Sequence, residues 1–585
     1  DVSLIKTTMP SGATVEYFHF NAQGKPQLIK NANGDYHLSL FDANGNLTDS
    51  ISFKQGFGST INPATFVPTA NASQILSWSH NQYGANGILE KTKRINNFAN
   101  GTTGPYTTYD FFDDVNNVNG VSPVSVSYYG DIDGNGAITS NEGLGTYNST
   151  YDSQNRLLTG FDGALYPVEY QYDKNGRLVK GSDGLGNMRD YNYDPSGLLE
   201  SESLITIKDG KVVVADKTSR IFDDVARMTS ITDASEATTN LEYDEAGNLV
   251  KVTSPDGYIV NFTYNAMNRQ THAYDEEGNV VERVLDDVGR LRKLIDPNGN
   301  ETVYIYYGPS ENGRVQRVTT PEGRWTEFFY SPAGQVTKVI DNAGKENLTN
   351  YDALGRTIRV VQPVYSDVLL GNVRPVISYH YNALGFQTAV WAGYTNVSAD
   401  INADNLKLQV QYTYDDFGRV LTKINAIGKV WRVHEYDVHS NVLSSEDPEG
   451  NVTTSVYKQG GVLASQSTTG IHPVQLSFER NVLGQPEKII SSNVTYDYLY
   501  DAAHRVKKVT DSRAKKFVEY DYSLGGFLNS IEDSEGNKTV YSYDPTGRLT
   551  GIRGADNQLI SYVYDAVGRV TQKVFPNDVV TTYKY

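Results

Sequence analysis

The sequence predicts an all-β chain of stacked antiparallel hairpins with essentially no helix. Three observations predict it. A tyrosine-aspartate-turn-glycine-arginine signature recurs at a fixed spacing, the residues between copies alternate with period two, and every copy carries turn chemistry. Clean copies are Tyr172-Asp173-Lys174-Asn175-Gly176-Arg177, Tyr351-Asp352-Ala353-Leu354-Gly355-Arg356, Tyr414-Asp415-Asp416-Phe417-Gly418-Arg419, Tyr543-Asp544-Pro545-Thr546-Gly547-Arg548 and Tyr564-Asp565-Ala566-Val567-Gly568-Arg569. The signature aromatics at 151, 172 and 193, at 222, 243 and 264, at 330 and 351, at 436 and 457, and at 543 and 564 fall 21 residues apart. A fixed period of this size marks one supersecondary unit stacked on its own copies, each covering the apolar face its neighbour cannot bury alone.

The unit beginning at Tyr541 shows the local logic. Tyr541-Ser542-Tyr543 alternates aromatic and polar, as a strand with two different faces does. In Asp544-Pro545-Thr546-Gly547 the Asp oxygen accepts from a backbone N–H two residues on. Pro presets φ, and Gly takes the positive-φ position that a side chain resists. Arg548-Leu549-Thr550-Gly551-Ile552 returns as the second strand, and a weaker turn at Ala555-Asp556-Asn557 leads into Leu559-Ile560-Ser561-Tyr562. Where the spacing lengthens, between 193 and 222 and between 381 and 414, the extra residues are expected to leave the ladder as surface loops.

Tyrosines pair at i and i+2 before many turns, as in Tyr170/Tyr172, Tyr191/Tyr193, Tyr412/Tyr414 and Tyr562/Tyr564. Residues two apart share a strand face, so rings of neighbouring units are expected to form cross-strand aromatic ladders. Such a surface suits sugar stacking. The framework position of these residues favours a plainer role, a half-buried ring whose hydroxyl reaches water or a backbone group.

These units resemble the YD repeats of the Rhs/YD-repeat family, found in bacterial polymorphic toxins, insecticidal toxin-complex components, bacterial wall-associated proteins and animal teneurins. The matching region runs from Tyr151 to Tyr585 and includes degenerate copies such as Phe222-Asp223-Asp224-Val225-Ala226-Arg227 and Leu285-Asp286-Asp287-Val288-Gly289-Arg290. The resemblance implies a long β-sheet wound into a hollow shell, which in several members encloses a C-terminal cargo. Asp194-Pro195-Ser196-Gly197-Leu198 is similar to the element at which the family's core domain cleaves itself. Here it occupies an early repeat turn, and Asp544-Pro545-Thr546-Gly547 shows that the array generates such a sequence by itself, so no protease activity is carried over.

Composition bounds the rest. Of 585 residues, 42 are Tyr and 52 are Gly, as a turn-rich β chain requires. Lys+Arg 51 against Asp+Glu 69 leaves a net charge of −18, which argues against nucleic acid or an anionic membrane surface as partner. Cysteine is absent, which excludes disulfides, thiol catalysis and thiolate metal sites and accords with export. No apolar run is long enough for a transmembrane helix. Residues 1–150 read as a divergent N-terminal β cap, with repeat-like turns at Phe20-Asn21-Ala22-Gln23-Gly24-Lys25 and Phe41-Asp42-Ala43-Asn44-Gly45-Asn46 and a register that fades from Gly56 to Gly120. Residues 151–585 form the array. Thr581-Thr582-Tyr583-Lys584-Tyr585 stops where the next turn is due, so the chain is expected to be part of something longer.

One motif departs from the array. Asp131-Ile132-Asp133-Gly134-Asn135-Gly136-Ala137-Ile138-Thr139-Ser140-Asn141-Glu142 matches the twelve-residue calcium loop. Asp131, Asp133 and Asn135 supply oxygens at positions 1, 3 and 5, and Gly136 makes the sharp turn. Ala137 offers its backbone carbonyl, Thr139 a hydroxyl, and Glu142 closes the site bidentately. The competing account is that Asp-x-x-Gly-Asn is this chain's habitual turn, and Val121–Tyr129 alternates like a strand where an EF-hand needs a helix. The expectation is a structural Ca2+ at this loop.

No catalytic residues are assigned. None of the nine His forms a zinc-protease pair, and no G-x-S-x-G elbow or Walker loop occurs. His434, His439 and Ser440 flank one signature, but His439 and Ser440 fall at its turn. The expected function is a non-enzymatic scaffold of an exported or surface-located bacterial protein, a shell that encloses or presents a C-terminal toxin or effector. Its expected partners are its own cargo or neighbouring subunits at open sheet edges. The alternative is a structural or adhesive extracellular protein, a self-assembling fibre or a glycan-binding surface. A glycan-cleaving enzyme is the third reading.

Overall fold

The structure is a computed structural model describing residues 5–8, 14–54, 57, 61–84, 87–97, 102–110, 125–129, 143–161, 167–182, 188–208, 211–308, 313–396, 404–415, 418–437, 440–458, 462–470, 473–481 and 484–585. Among these, strands dominate and the one helical element is a 3-10 segment, Thr69–Gln74. A ten-stranded sheet covers 5–148, and a forty-stranded sheet covers 150–582, each with its strands in sequence order. Every described pairing is antiparallel, and all but Thr357–Val361 with Gly371–Tyr381 join strands consecutive in the chain, as hairpins with short turns dictate. The strands Ile75–Tyr83, Leu89–Asn97 and Thr102–Asp110 continue the first sheet through the region where the sequence register fades.

By contacts the chain divides into two compact units, one of 1–165, 306–317 and 325–451, the other of 166–305, 318–324 and 452–585. The first contains a buried core in which Leu28, Leu38, Ile51, Phe53, Ile61 and Ile75 pack beneath Phe57, Phe66 and Trp78. Phe53 and Phe66 meet edge to face at 5.5 Å, the geometry that the ring quadrupole favours. Burying each such side chain contributes about 1.5–3 kcal/mol, which makes this cluster the anchor of the N-terminal sheet.

The array is held differently. Its strands show alternating half-burial, as in Asn405–Tyr414, where exposed and half-buried residues alternate without a break. One face of each hairpin is covered by its neighbours, as stacking of repeats requires.

The turns explain the conserved spacing. In each signature the Asp N–H donates to the Arg carbonyl and the Gly N–H to the Asp carbonyl, 2.9 and 2.8 Å for the copy at Asp544. Gly547 stands at φ +81°, and the register shifts by one between Ser542 and Tyr543. This is a type I turn closed by a left-handed residue and a bulge, the loop whose twist matches that of its strands.

The lengthened spacing between 193 and 222 does not become a surface loop. Leu199–Lys208 and Lys211–Phe222 extend the ladder as far as Lys208 opposite Lys211, absorbing a bulge between Leu204 and Ile205. Between 381 and 414, Gln387–Asn396 and Asn405–Tyr414 are also long strands, paired as far as Tyr394 opposite Asn405, and residues 397–403 lie outside the described residues. Residues added to both arms of a hairpin keep their backbone groups paired, and paired groups are cheaper than a loop that leaves them to solvent.

Candidate functional site

The signature is a wiring device between consecutive hairpins. Asp544 Oδ1 accepts from the Thr546 and Arg548 N–H groups, 3.0 Å each, and from the Thr546 hydroxyl at 2.7 Å. Its Oδ2 accepts from Arg548 Nε at 2.6 Å. Burial works against ionisation of Asp544, but the donors from Thr546 and Arg548 outweigh it and hold the carboxyl down at about 2. The oriented guanidinium then reaches the next unit. It donates to the Asp565 carbonyl at 3.1 Å and lies 5.2 Å from the centroid of the Tyr564 ring. Tyr564 returns its hydroxyl to the Leu549 carbonyl at 2.6 Å. Burial and the Asp544 charge push that phenol up from its ordinary value, so it stays a donor.

The same closure recurs along the chain. Arg177 lies over Tyr193, whose hydroxyl donates to the Leu178 carbonyl, and Arg419 lies over Tyr436, which donates to the Val420 carbonyl. The expected tyrosine ladder is thereby corrected. What stacks on each of these rings is the arginine of the preceding unit, a cation–π contact, and where that position carries Phe, as at Phe386 and Phe527, its ring lies on Tyr414 and Tyr543 instead. The half-buried ring with its hydroxyl on a backbone carbonyl is the role these tyrosines take.

Long-range contacts tie distant turns within the second unit. Arg569 pairs with Glu322 at 2.6 Å, Arg505 with Asp256 at 3.2 Å, and His504 Nε2 with Asp233 Oδ2 at 2.6 Å. His504 stands where the signature carries glycine, at φ +62°. That departure from the repeat was visible in sequence, but its partner 271 residues away was not.

The described surface includes two sizeable cavities. In the second unit a cleft of about 680 Å³ is lined by Tyr496, Tyr498, Phe517 and Tyr520, with Asp511 and Lys516 at its polar side. In the first unit a cavity of about 570 Å³ is lined by Asp35, Lys338, Asn350, Asp352 and Arg359. Asp35 is only 5% exposed, and its Oδ1 has no hydrogen-bond partner. Sequence reasoning missed Asp35, since a single Asp in an Asn- and Gly-rich turn carries no signal.

The calcium residues Asp131, Asp133, Asn135, Ala137, Thr139 and Glu142 lie outside the described residues. The strands on either side of that loop, Ser125–Tyr129 and Gly143–Asn148, pair antiparallel with Gly143 opposite Tyr129. His439 also lies outside the described residues; Ser440 sits at the left-handed turn position, φ +69°, and His434 pairs instead with Glu446 at 2.9 Å. Asp194–Leu198 is an ordinary repeat turn, with Gly197 at φ +93° and the Leu198 N–H on Asp194 Oδ1 at 2.8 Å.

Comparison with known proteins agrees with this geometry. The chain is 24% identical over 262 residues to the probable deoxyribonuclease RhsB of Dickeya dadantii, an alignment covering 36% of this chain and 16% of that protein. It is 25% identical over 313 residues to the double-stranded DNA deaminase toxin A of Burkholderia cenocepacia, covering 52% of this chain and 21% of that one. The chain thus matches about a fifth or less of the length of these relatives. Among solved structures, the Photorhabdus luminescens Tc holotoxin pore aligns with 99% of this chain and 38% of its own at a TM-score of 0.51 and 13% identity, a likeness of fold alone. A family model described as the teneurin YD-shell matches residues 116–585, far more than half of the chain. With hairpins wired Asp to Arg to Tyr as at Asp173, Asp415 and Asp544, this chain belongs to the teneurin YD-shell family.

Proposed function

We propose that this chain is the scaffold of an exported bacterial protein, a β-shell that encloses or presents a C-terminal toxin or effector. One observation carries the reading. The Asp of a signature holds its own turn and aims its Arg, and the Arg and Tyr spend their functional groups on the neighbouring hairpin, as in Asp544, Arg548 and Tyr564, so the repeats build a wall. Relatives named as a deoxyribonuclease and a deaminase toxin are far longer than the part this chain matches, which supports a wall serving a separate effector. Among the described residues no helix is long and apolar enough to cross a membrane.

The test is to express this sequence with whatever its gene encodes beyond Tyr585 and to follow limited proteolysis. The reading expects the downstream polypeptide to resist protease while the shell is intact and to become sensitive once acid or urea opens it. A downstream segment cut as fast in the intact protein as in the opened one overturns enclosure. Filaments or concentration-dependent oligomers would instead favour a structural or adhesive protein.

Calcium at Asp131, Asp133, Asn135, Ala137, Thr139 and Glu142 belongs to the same proposal. The pairing of Tyr129 with Gly143 supports it, because it holds the two ends of the loop together. Calcium is expected to raise the melting temperature by mass action, and the D131A/E142A double variant to lose that increment. Melting unchanged by calcium in the unmodified protein reduces the loop to a turn.

A further inference from the structure

Asp35 inverts the charge pattern of the repeat turn. In the signature a carboxylate at the first turn position holds a guanidinium or an amide at the fifth, as Asp352 holds Arg356 at 2.7 Å. In the turn Asn31–Asp35 the first position is neutral. Asn31 Oδ1 still accepts the Asn33 and Asp35 N–H groups at 2.9 Å. The carboxylate now stands at the fifth position, and its side chain receives a single long contact, Asn31 Nδ2 to Oδ2 at 3.4 Å. Its Oδ1 is buried without a partner.

Asp35 belongs to the lining of the 570 Å³ cavity, whose other fixed charges have partners of their own. Asp352 is held by Arg356, and Arg359 makes two 2.8 Å bonds to Asp404. Lys338 lies 4.3 Å over the Phe329 ring and 3.9 Å from Glu346. A buried carboxylate left alone is strongly unfavourable, so the site favours an occupant that brings positive charge and N–H donors. A metal ion is a poor occupant, since calcium takes six to eight oxygens with several carboxylates among them and only one carboxylate here lacks a cation. The cavity is in the size range of small-ligand sites, far larger than one water.

We infer that the cavity at Asp35 binds a small organic cation, an alkylammonium or guanidinium group whose charge and N–H donors pair with the Asp35 carboxylate. Thr349 and Asn350 also line the cavity and carry oxygens for the remaining donors.

Calorimetric titration of the whole chain tests this with putrescine and agmatine as free ligands. Acetyl-Gly-Lys-Gly-amide and acetyl-Gly-Arg-Gly-amide offer the same groups on a polypeptide. Saturable binding of at least one probe is expected, weakened at least tenfold by D35N, which keeps the shape and removes the charge. Tighter binding of the free probes identifies a small molecule as the source, and tighter binding of the peptides a lysine or arginine side chain. A control in the unmodified protein does not depend on the variant folding: 1,4-butanediol, the neutral counterpart of putrescine, should neither bind nor compete. Absence of binding by all four probes, equal affinity in folded D35N, or competition by butanediol overturns the inference and leaves Asp35 with water or a proton alone.

Discussion

The guanidinium of Arg548 lies 5.2 Å from the centroid of the Tyr564 ring, joining two consecutive hairpins through a contact neither makes within itself. The same Arg is fixed in place by Asp544, so one residue orients and another reaches across. Lysine cannot do both, because a point charge has no planar fork to hold a carboxylate while its face lies on a ring. R548K is therefore expected to cost about 1–2 kcal/mol, and Y564F, which keeps the ring and drops the hydroxyl, about 1 kcal/mol. Urea unfolding read by hydrogen exchange at these two hairpins checks both. An R548K protein as stable as the parent would show that the stacking is incidental.

The acid limb of stability follows from the same carboxylate. Asp544 is held at about 2 in the folded chain, below its ordinary value of about 3.9. A depressed folded value contributes stability that is present above the unfolded value and is lost as pH falls through the folded one. Asp173, Asp223 and Asp565 are depressed in the same direction by donors of their own turns, against opposing burial. Unfolding midpoints should hold steady above about pH 4 and fall between about pH 4 and pH 2. The D544N variant should show a smaller drop over that window. A midpoint that is flat from pH 5 to pH 2 contradicts this account.

The two kinds of glycine make a sharper contrast. Gly299 stands at φ +81° with nothing within 4 Å of where a Cβ would sit, so G299A meets only backbone strain, about 1 kcal/mol. Gly393 lies inside a strand, and a Cβ there would come within 1.9 Å of the Asn405 carbonyl oxygen on the paired strand. Backbone cannot step aside as a side chain can, so G393A is expected to cost about 3 kcal/mol. Thermal melts of the two variants rank them, and a G393A protein no less stable than G299A would contradict the close pairing of these strands.

Most of the fold was legible because it is local. Each hairpin is specified by a turn of five residues and two alternating strands, and the signature repeats that message down the chain. The lengthened spacing between 193 and 222 misled for a reason of the same kind, since spacing counts residues and does not say whether both arms of a hairpin grow together. The partner of each signature tyrosine was hidden for a different reason. The contact runs from Arg548 to Tyr564 in the next unit, and periodicity places both without saying which side chain covers the ring. Asp35 and its cavity were beyond reach, because the residues that line it come from turns some 300 positions apart, as the bond from Asn33 Nδ2 to Gln335 Oε1 shows.

His504 is the place where the repeat gives way to a long-range contact. A residue other than glycine at φ +62° costs on the order of 1 kcal/mol, so the turn at Asp501 is less stable for carrying it. Gln485 Nε2 donates to its carbonyl at 2.9 Å, which any residue would accept. The 2.6 Å approach of Nε2 to Asp233 Oδ2 is what only the side chain supplies. Both side chains are about a third exposed, at 31% and 32%, so the pair sits in partial solvent and its strength is bounded accordingly. A double-mutant cycle with H504N and D233N isolates it, since Asn tolerates the left-handed conformation and leaves the turn intact. The expected coupling is about 0.5–1 kcal/mol, falling as salt is raised. Coupling below about 0.2 kcal/mol would make the contact a bystander and leave the departure from glycine without a structural reason.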